Sequence, residues 1–476
     1  LPILSIGYNL LIMNKDDIKI CYIGGGSRNW AWVLMQDLAF EKEISGTIEL
    51  YDIKHEDALT NEVIANRLME KHNKGRWRFR ANPSLESALN GSDFVIISIL
   101  PGDFEEMSVD VHAPEKYGIY QSVGDTIGPG GIMRALRAIP QFRQIAREIK
   151  KNAPCAWVIN YTNPMSICTH ALYKEFPAIK AFGCCHEVFH TQKLLAAALE
   201  DAGLAPRDSI KREEIKINVS GLNHFTWIDK ASWNDIDIFP VYKIFTDKYA
   251  ERGFKKTAVA DNAQEDDPQR SKFFGSSDRV KMDLFRRYGL IAAAGDRHLA
   301  EFCPHSWYLS SPQNAESWGF SLTPVSWRIK DRENLKQKAA AYRSGEREMI
   351  PVRSDEEGIK IIKSLMGLGD LITNVNLPNS GQMPDMPREV VVETNAVFSR
   401  DSIQPCLTQA LPSGIKALVM PHALCYEGLI EAVFEEDTEK AFQVFSHDSA
   451  VQKLPLRGIR ELFREMCERT GVGKFS

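Results

Sequence analysis

The sequence predicts an α/β chain, a Rossmann-type parallel sheet for a dinucleotide followed by a mixed α+β half. Three observations carry this reading. Through the first third, short apolar runs alternate with longer amphipathic ones, the pattern of buried parallel strands joined by crossover helices. A glycine turn, "YIGGGSRNW", directly follows the first apolar run. After about Asp208 the pattern changes, and "EIKINVSGLNHFTWID" alternates like two antiparallel strands and a turn.

The elements follow in order. "IKICYI" (Ile18–Ile23) reads as a buried strand, with a helix from about Ser27. "TIELYDI" is a second strand, and residues 55–74 have helical spacing. "DFVIISIL", "CAWVINYT" and "AIKAFGCC" are later strands, each with helical stretches after it. The C-terminal part is largely helical, with one β-like segment at "REVVVETNAVF", and residues 255–270 read as an exposed polar loop. These boundaries divide the chain into a leader (1–17), a nucleotide-binding unit (18–205) and an α+β substrate and oligomerisation unit (206–476).

Bulk properties exclude several classes. At 476 residues the chain exceeds what one core usually serves. A 44% apolar and 25% charged composition is that of a soluble globule, and a net charge of −5 offers no footprint for nucleic acid or anionic lipid. The nine cysteines are odd in number and scattered, which fits a reducing cytoplasm rather than a disulfide framework. The start "LPILSIGYNLLIMNKDD" lacks the basic region and cleavage site of a signal peptide. No later run is expected to span a membrane.

At the nucleotide end, Gly24 and Gly26 allow a tight turn and close approach of backbone to a pyrophosphate, which the next helix N-terminus attracts. Ser27 and Asn160 complete the candidate cofactor contacts. Asp52 ends the second strand, where a carboxylate accepts from both ribose hydroxyls and repels a 2′-phosphate, favouring NAD. The third glycine of the G-x-G-x-x-G fingerprint is replaced by Asn29, so the ordered context carries the reading, not the glycines alone.

Three segments are expected beyond the carboxyl ends of the parallel strands, where ligands of such sheets bind: "SVGDTIGPGG", "NYTNP" and "GCCHEV". Each has a bland reading. Asp125 is a turn residue, Asn163 a helix cap before Pro164, and a Cys–His pair is often only packing. The chemical alternative is a divalent-metal site made by the Cys185 thiolate with the His224 imidazole of "GLNHF", leaving positions open for substrate oxygens.

"IGGGS", "LYDI", "GDTIGPGGIMRALR", "NYTNP", "GCCHEV", "GLNHF", "YGLIAAAGD" and "NLPNSGQ…VVVETNAVF" together resemble glycoside hydrolase family 4, the NAD- and metal-dependent glycosidases, over nearly the whole chain from Lys19. The resemblance implies Cys185 and His224 as metal ligands, Asn163 as a sugar-binding residue, Asp296 as a base, and Asp125 or His186 as acid help. It implies oxidation of the sugar at carbon 3 by NAD, loss of the carbon-2 proton, elimination of the glycosidic oxygen, addition of water and return of the hydride. It also implies manganese(II), although a thiolate by itself suits zinc better. Relatives of this type are homodimers or homotetramers.

The "CHEV" form is similar to that of α-galacturonidases, which makes an α-galacturonide or oligouronide the expected substrate; α-glucosidase and α-galactosidase remain alternatives. Glu187 is then an acceptor for a sugar hydroxyl, or merely a helix N-terminal acid. A uronate needs a cation, for which Arg134, Arg137 and Arg297 are equal candidates, with Arg297 carried as the substrate residue. A hydroxy-acid dehydrogenase would share the nucleotide half but would need no metal and would produce NADH. A non-catalytic NAD sensor would bind the cofactor without turnover.

Overall fold

A computed structural model describes residues 14–254 and 272–472. The expected loop 255–270 and residues 1–13 of the expected leader lie outside the described residues. Residues 14–17 are tied to the fold, with the Ser45 N–H donating to the Lys15 carbonyl at 2.9 Å.

The first half alternates strand and helix: β1 Ile18–Ile23, α1 Trp30–Ala39, β2 Gly46–Tyr51, α2 His55–Asn73, β3 Trp77–Asn82, α3 Leu85–Leu89, β4 Phe94–Ile97, α4 Phe104–His112, α5 Gly128–Asn152, β5 Trp157–Asn160, α6 Met165–Glu175, β6 Lys180–Gly183 and α7 Glu187–Asp201. All six strands are parallel, in the order β3-β2-β1-β4-β5-β6. That is the doubly wound dinucleotide-binding order, with right-handed crossovers placing helices on both faces. Strands β4, β5 and β1 are almost wholly buried, which is why they read as continuous apolar runs rather than alternating ones.

The second half adds β7 Ile215–Leu222, β8 Phe225–Trp233, β9 Ile236–Asp237, α8 Ile238–Tyr249, β10 Ile291–Ala292, β11 Leu371–Pro378, β12 Val391–Ser399 and β13 Ser402–Pro405. These strands pair antiparallel and continue the same sheet. From β6 the order runs β11-β12-β7-β8-β10, giving 13 strands with β9 and β13 alongside. The change of pattern after Asp208 is therefore a change of strand direction within one sheet. The junction is narrow, since β11 meets β6 through the single pair Asn376 and Gly183. Gly183 is required there: a Cβ would lie 2.6 Å from Met165 Cγ and 2.9 Å from the Asn376 Cβ.

One apolar core runs beneath both halves, from Val95 and Val158 to Phe225, Trp227 and the helix Ser413–Phe434. That helix corrects one sequence expectation, because by length and composition it is apolar enough to cross a membrane. Its Ile415, Val419, Ala423, Tyr426, Ile430 and Val433 are buried in the core instead.

Helix α5 settles one of the arginine candidates. Arg137 and Asp110 form a buried two-pronged ion pair that locks α5 to α4, with Nη1 donating to Oδ1 at 3.0 Å and Nη2 donating to Oδ2. Arg137 is a structural residue and not a cation for substrate. Arg137→Leu leaves the Asp110 carboxylate buried without its partner, and urea unfolding at neutral pH is expected to show a loss of about 3–5 kcal/mol.

Candidate active site

The glycine turn joins β1 to α1 with Gly24 at φ +97°, where an added Cβ would lie 2.0 Å from the Ser98 carbonyl oxygen. The Gly24 and Gly25 N–H groups both donate to the Tyr51 carbonyl at 2.9 Å, holding the turn against the end of β2. Asp52 lies just past that end. Its two oxygens accept from the Gly26 and Lys54 N–H groups at 2.9 and 2.8 Å, while burial pushes its carboxyl upward. Ser27 closes the turn through its N–H to the Gly24 carbonyl at 3.0 Å. The N-terminus of α1 is left without a side-chain cap at Asn29. A backbone that admits no side chain, an uncapped helix start and a carboxylate at the next strand end fit a dinucleotide.

Asn61 of α2 escaped sequence reasoning: its amide donates to the Gly25 and Ser27 carbonyls at 2.8 and 2.9 Å and its oxygen accepts the Trp32 indole at 2.8 Å. Asn160 needs correction. It is fully buried, its Nδ2 donates to Thr169 Oγ1 and the Thr162 carbonyl, and its Oδ1 accepts the Thr162 N–H. Its side chain shapes the "NYTNP" turn and presents nothing to a cofactor.

The three segments expected beyond the strand ends do converge, together with the two-residue hairpin turn Asn223–His224 between β7 and β8. His224 is buried and holds φ at +65°, a conformation that few residues other than glycine adopt. Its ring lies 4.0 Å, centroid to centroid, from that of His298, and its Nδ1 is 3.2 Å from Thr126 Oγ1. The ligand atoms of Asp125, His224 and His298 all lie within 4.8 Å of one another. Burial, then the neighbouring His298, pushes His224 down to about 3 and so keeps it neutral. Burial alone would raise Asp125, but Arg134, His298 and His224 outweigh it and hold the group well below the usual carboxylate range. This favours the charged form of Asp125, the form that can hold a cation. Two neutral imidazole rings and a carboxylate at this spacing are a donor set for a divalent cation.

Cys185 sits beside this group rather than within it. Its thiol is buried and pushed well above its ordinary range by burial, then by the charges of Glu393 and Glu187. Only a cation at the site would bring out its thiolate. Asn163 offers a buried Oδ1 with no hydrogen-bond partner, while its carbonyl accepts Arg134 Nε at 3.0 Å. The helix-cap reading of Asn163 fails, because α6 begins at Met165 with no side-chain cap.

His186 stands between the two regions. Its ring lies 5.4 Å from that of Trp30, which stacks on Tyr161, and its Nδ1 is 3.1 Å from Glu356 Oε1. Glu187 accepts the Gly295 N–H at 2.8 Å and lies 3.8 Å from His298 Nε2, so it fastens the start of the helix Asp296–Phe302 to α7.

Asp296 is fully buried and lies outside the histidine group. Its Oδ1 accepts the Lys281 N–H at 3.0 Å, at the start of the helix Arg279–Tyr288, and its Oδ2 has no partner. Burial, then the charge of Asp278, pushes it up to about 7. Arg297 donates to the Ser122 carbonyl and to Thr323 Oγ1, and its Nε is buried without a partner.

Two buried carboxyls were not singled out in the sequence, although Glu393 lies within "VVVETNAVF". Glu301 accepts the Val123 and Gly124 N–H groups at 2.7 and 2.9 Å and so pins the loop that presents Asp125. Glu393 accepts from the amides of Asn374 and Asn223 beneath Cys185. His298 was within reach, since it lies two residues beyond the Asp296 that ends "YGLIAAAGD", on the first turn of the same helix.

Comparisons with known proteins agree with this architecture. Residues 19–201 match the family 4 glycosyl hydrolases and residues 219–451 match their C-terminal domain. An α-galacturonidase of Thermoanaerobacter italicus is 53% identical over 454 residues, 95% of this chain and 96% of that protein. The crystal structure of lplD from Bacillus subtilis, 48% identical, superposes with a TM-score of 0.88 over 95% of this chain and all of that one. A 6-phospho-α-glucosidase from gut microorganisms, solved in complex with NAD and Mn2+, shares the fold at 18% identity, with a TM-score of 0.77 over 96% of this chain and 99% of that one. The chain belongs to glycosyl hydrolase family 4.

Proposed function

We propose that this chain hydrolyses α-galacturonides, using NAD and a divalent metal, manganese(II), as cofactors. The observation that carries the substrate is the 53% identity to an α-galacturonidase over nearly the full length of both chains. The geometry supports the chemistry, because the glycine turn and the histidine group lie at the carboxyl ends of one sheet. When bound, NAD accepts and returns a hydride, and the metal polarises sugar oxygens as a Lewis acid.

The chain's own residues divide the remaining work. The backbone of Gly24, Gly26 and Ser27 cradles the pyrophosphate, and Asp52 accepts from the ribose. His224 and Asp125 would hold the metal, and His298 and Cys185 would complete its protein donors. Asn163 turns its unpartnered Oδ1 to a sugar hydroxyl. Asp296 takes the carbon-2 proton; a carboxyl near 7 with one free oxygen is matched to that task. His186, partly exposed beside Glu356, assists the leaving oxygen. With Arg137 committed to Asp110, the uronate carboxylate is left to Arg134 and Arg297, which border the "NYTNP" turn and the Ser122 loop.

Two experiments test these assignments. In the first, Mn2+ is stripped with chelator and restored. Turnover is expected to need both Mn2+ and catalytic NAD, with no NADH accumulating, whereas a dehydrogenase would accumulate it. Cys185→Ser and His224→Ala are each expected to abolish the response to Mn2+ while NAD affinity stays within a few-fold. His298→Ala with a wild-type response to Mn2+ would remove that ring from the donor set.

The second uses deuterated water, with an α-galacturonide and the α-galactoside that differs only at carbon 6. Wild-type product is expected to carry deuterium at carbon 2, and the uronide to be strongly preferred, because a buried cation without its carboxylate is costly. Asp296→Asn should lose ~10²–10⁴ in turnover at unchanged stability. A lowered melting temperature with near-normal turnover would make Asp296 a helix anchor only.

A further inference from the structure

Strand β12 places Glu393 beneath the metal donors and within the sheet, with 1% of its surface exposed. Its Oε1 accepts Asn374 Nδ2 at 2.6 Å and its Oε2 accepts Asn223 Nδ2 at 3.1 Å. The same Asn374 amide also donates to the Cys185 carbonyl at 3.0 Å. Asn223 directly precedes His224 in the hairpin turn between β7 and β8. One carboxylate therefore orients two amides, each contacting a segment that carries a metal donor. The segments come from opposite halves of the chain, the turn after β6 and the turn between β7 and β8, and β11 and β12 lie between those strands in the sheet.

We infer that Glu393 is a positioning residue which sets the spacing between Cys185 and His224, and so the affinity of the site for its divalent cation. The inference rests on the metal reading given above. Glutamine has the right shape but offers one acceptor oxygen where the carboxylate offers two. An Asn amide in Glu393→Gln must therefore turn or lose its partner, and with it the contact to Cys185 or the turn of His224. Outer groups of this kind typically govern metal affinity by ~10–100-fold.

The test is a titration of the full chain with Mn2+ alone, followed by electron paramagnetic resonance, without NAD or sugar. Glu393→Gln is expected to raise the Mn2+ dissociation constant ~10–100-fold, with NAD affinity unchanged and turnover largely restored at saturating Mn2+. Loss of NAD affinity and melting temperature in parallel would show general structural damage and overturn the inference. Wild-type Mn2+ affinity in folded Glu393→Gln would overturn it as well, provided that Cys185→Ser weakens binding. If Cys185→Ser and His224→Ala both bind Mn2+ normally, the metal reading itself falls and takes the inference with it. Should Glu393→Gln fail to fold, Asn374→Ala, which cuts the link to the Cys185 carbonyl, decides by the same criteria.

Discussion

The contact between Gly183 and Asn376 governs much of this molecule. It is the one register pair by which the antiparallel strands join the parallel ones. A doubly wound sheet has its ligand crevice at the carboxyl ends of its strands, but an edge strand leaves that crevice open on one side. By accepting β11 against β6, the chain extends the sheet past its nucleotide half and closes that side with β12, β7 and β8. The hairpin that carries His224 is brought in this way to the turn that carries Cys185. The close approach demands a residue without a side chain, and the sequence supplies one immediately before the two cysteines.

Charge at the site is arranged around this junction. Asp125 is held low against the cost of desolvation, first by the Arg134 guanidinium, and it accepts from Thr126 Oγ1 at 2.7 Å. Glu187 is likewise held low: burial opposes it, but surrounding histidines, His298 foremost, outweigh that opposition. Glu301 and Glu393, which face backbone N–H groups and amides, are instead pushed up to about 7 by burial. Four acidic residues in one neighbourhood thus fall into two classes, set by whether a cation or a dipole faces them. The first class balances positive charge, and the second ties loops and strands in place.

Much of the fold was legible in the sequence, because buried parallel strands and a glycine turn leave local signatures. The insertion of β11 and β12 between β6 and β7 was not, since strand order depends on pairings between residues nearly two hundred positions apart. The candidate site shows the same division. Asp125, Asn163, Cys185 and His224 lie in short motifs at predicted strand ends, where local pattern singles them out as candidates. Glu301, Glu393 and Asn61 were not singled out, even with Glu393 inside a recognised motif, because each takes its meaning from partners on another element. Arg134 and Arg137 lie three apart on one helix and could not be ranked until Asp110 was seen to take the second. Asn160 was misread because a polar residue at a strand end looks the same whether it faces a ligand or closes its own turn.

The left-handed backbone at His224 bears on how this protein would respond to selection for heat resistance. A side chain at φ +65° costs on the order of 1 kcal/mol, which glycine would recover. A library screened only for survival on heating would therefore favour losing the imidazole, and its winners would be sturdier proteins with a broken Asp125–His224–His298 group. The hairpin tip is a place where folding and chemistry ask for different residues, so thermostable descendants are better sought by substitutions elsewhere on the sheet.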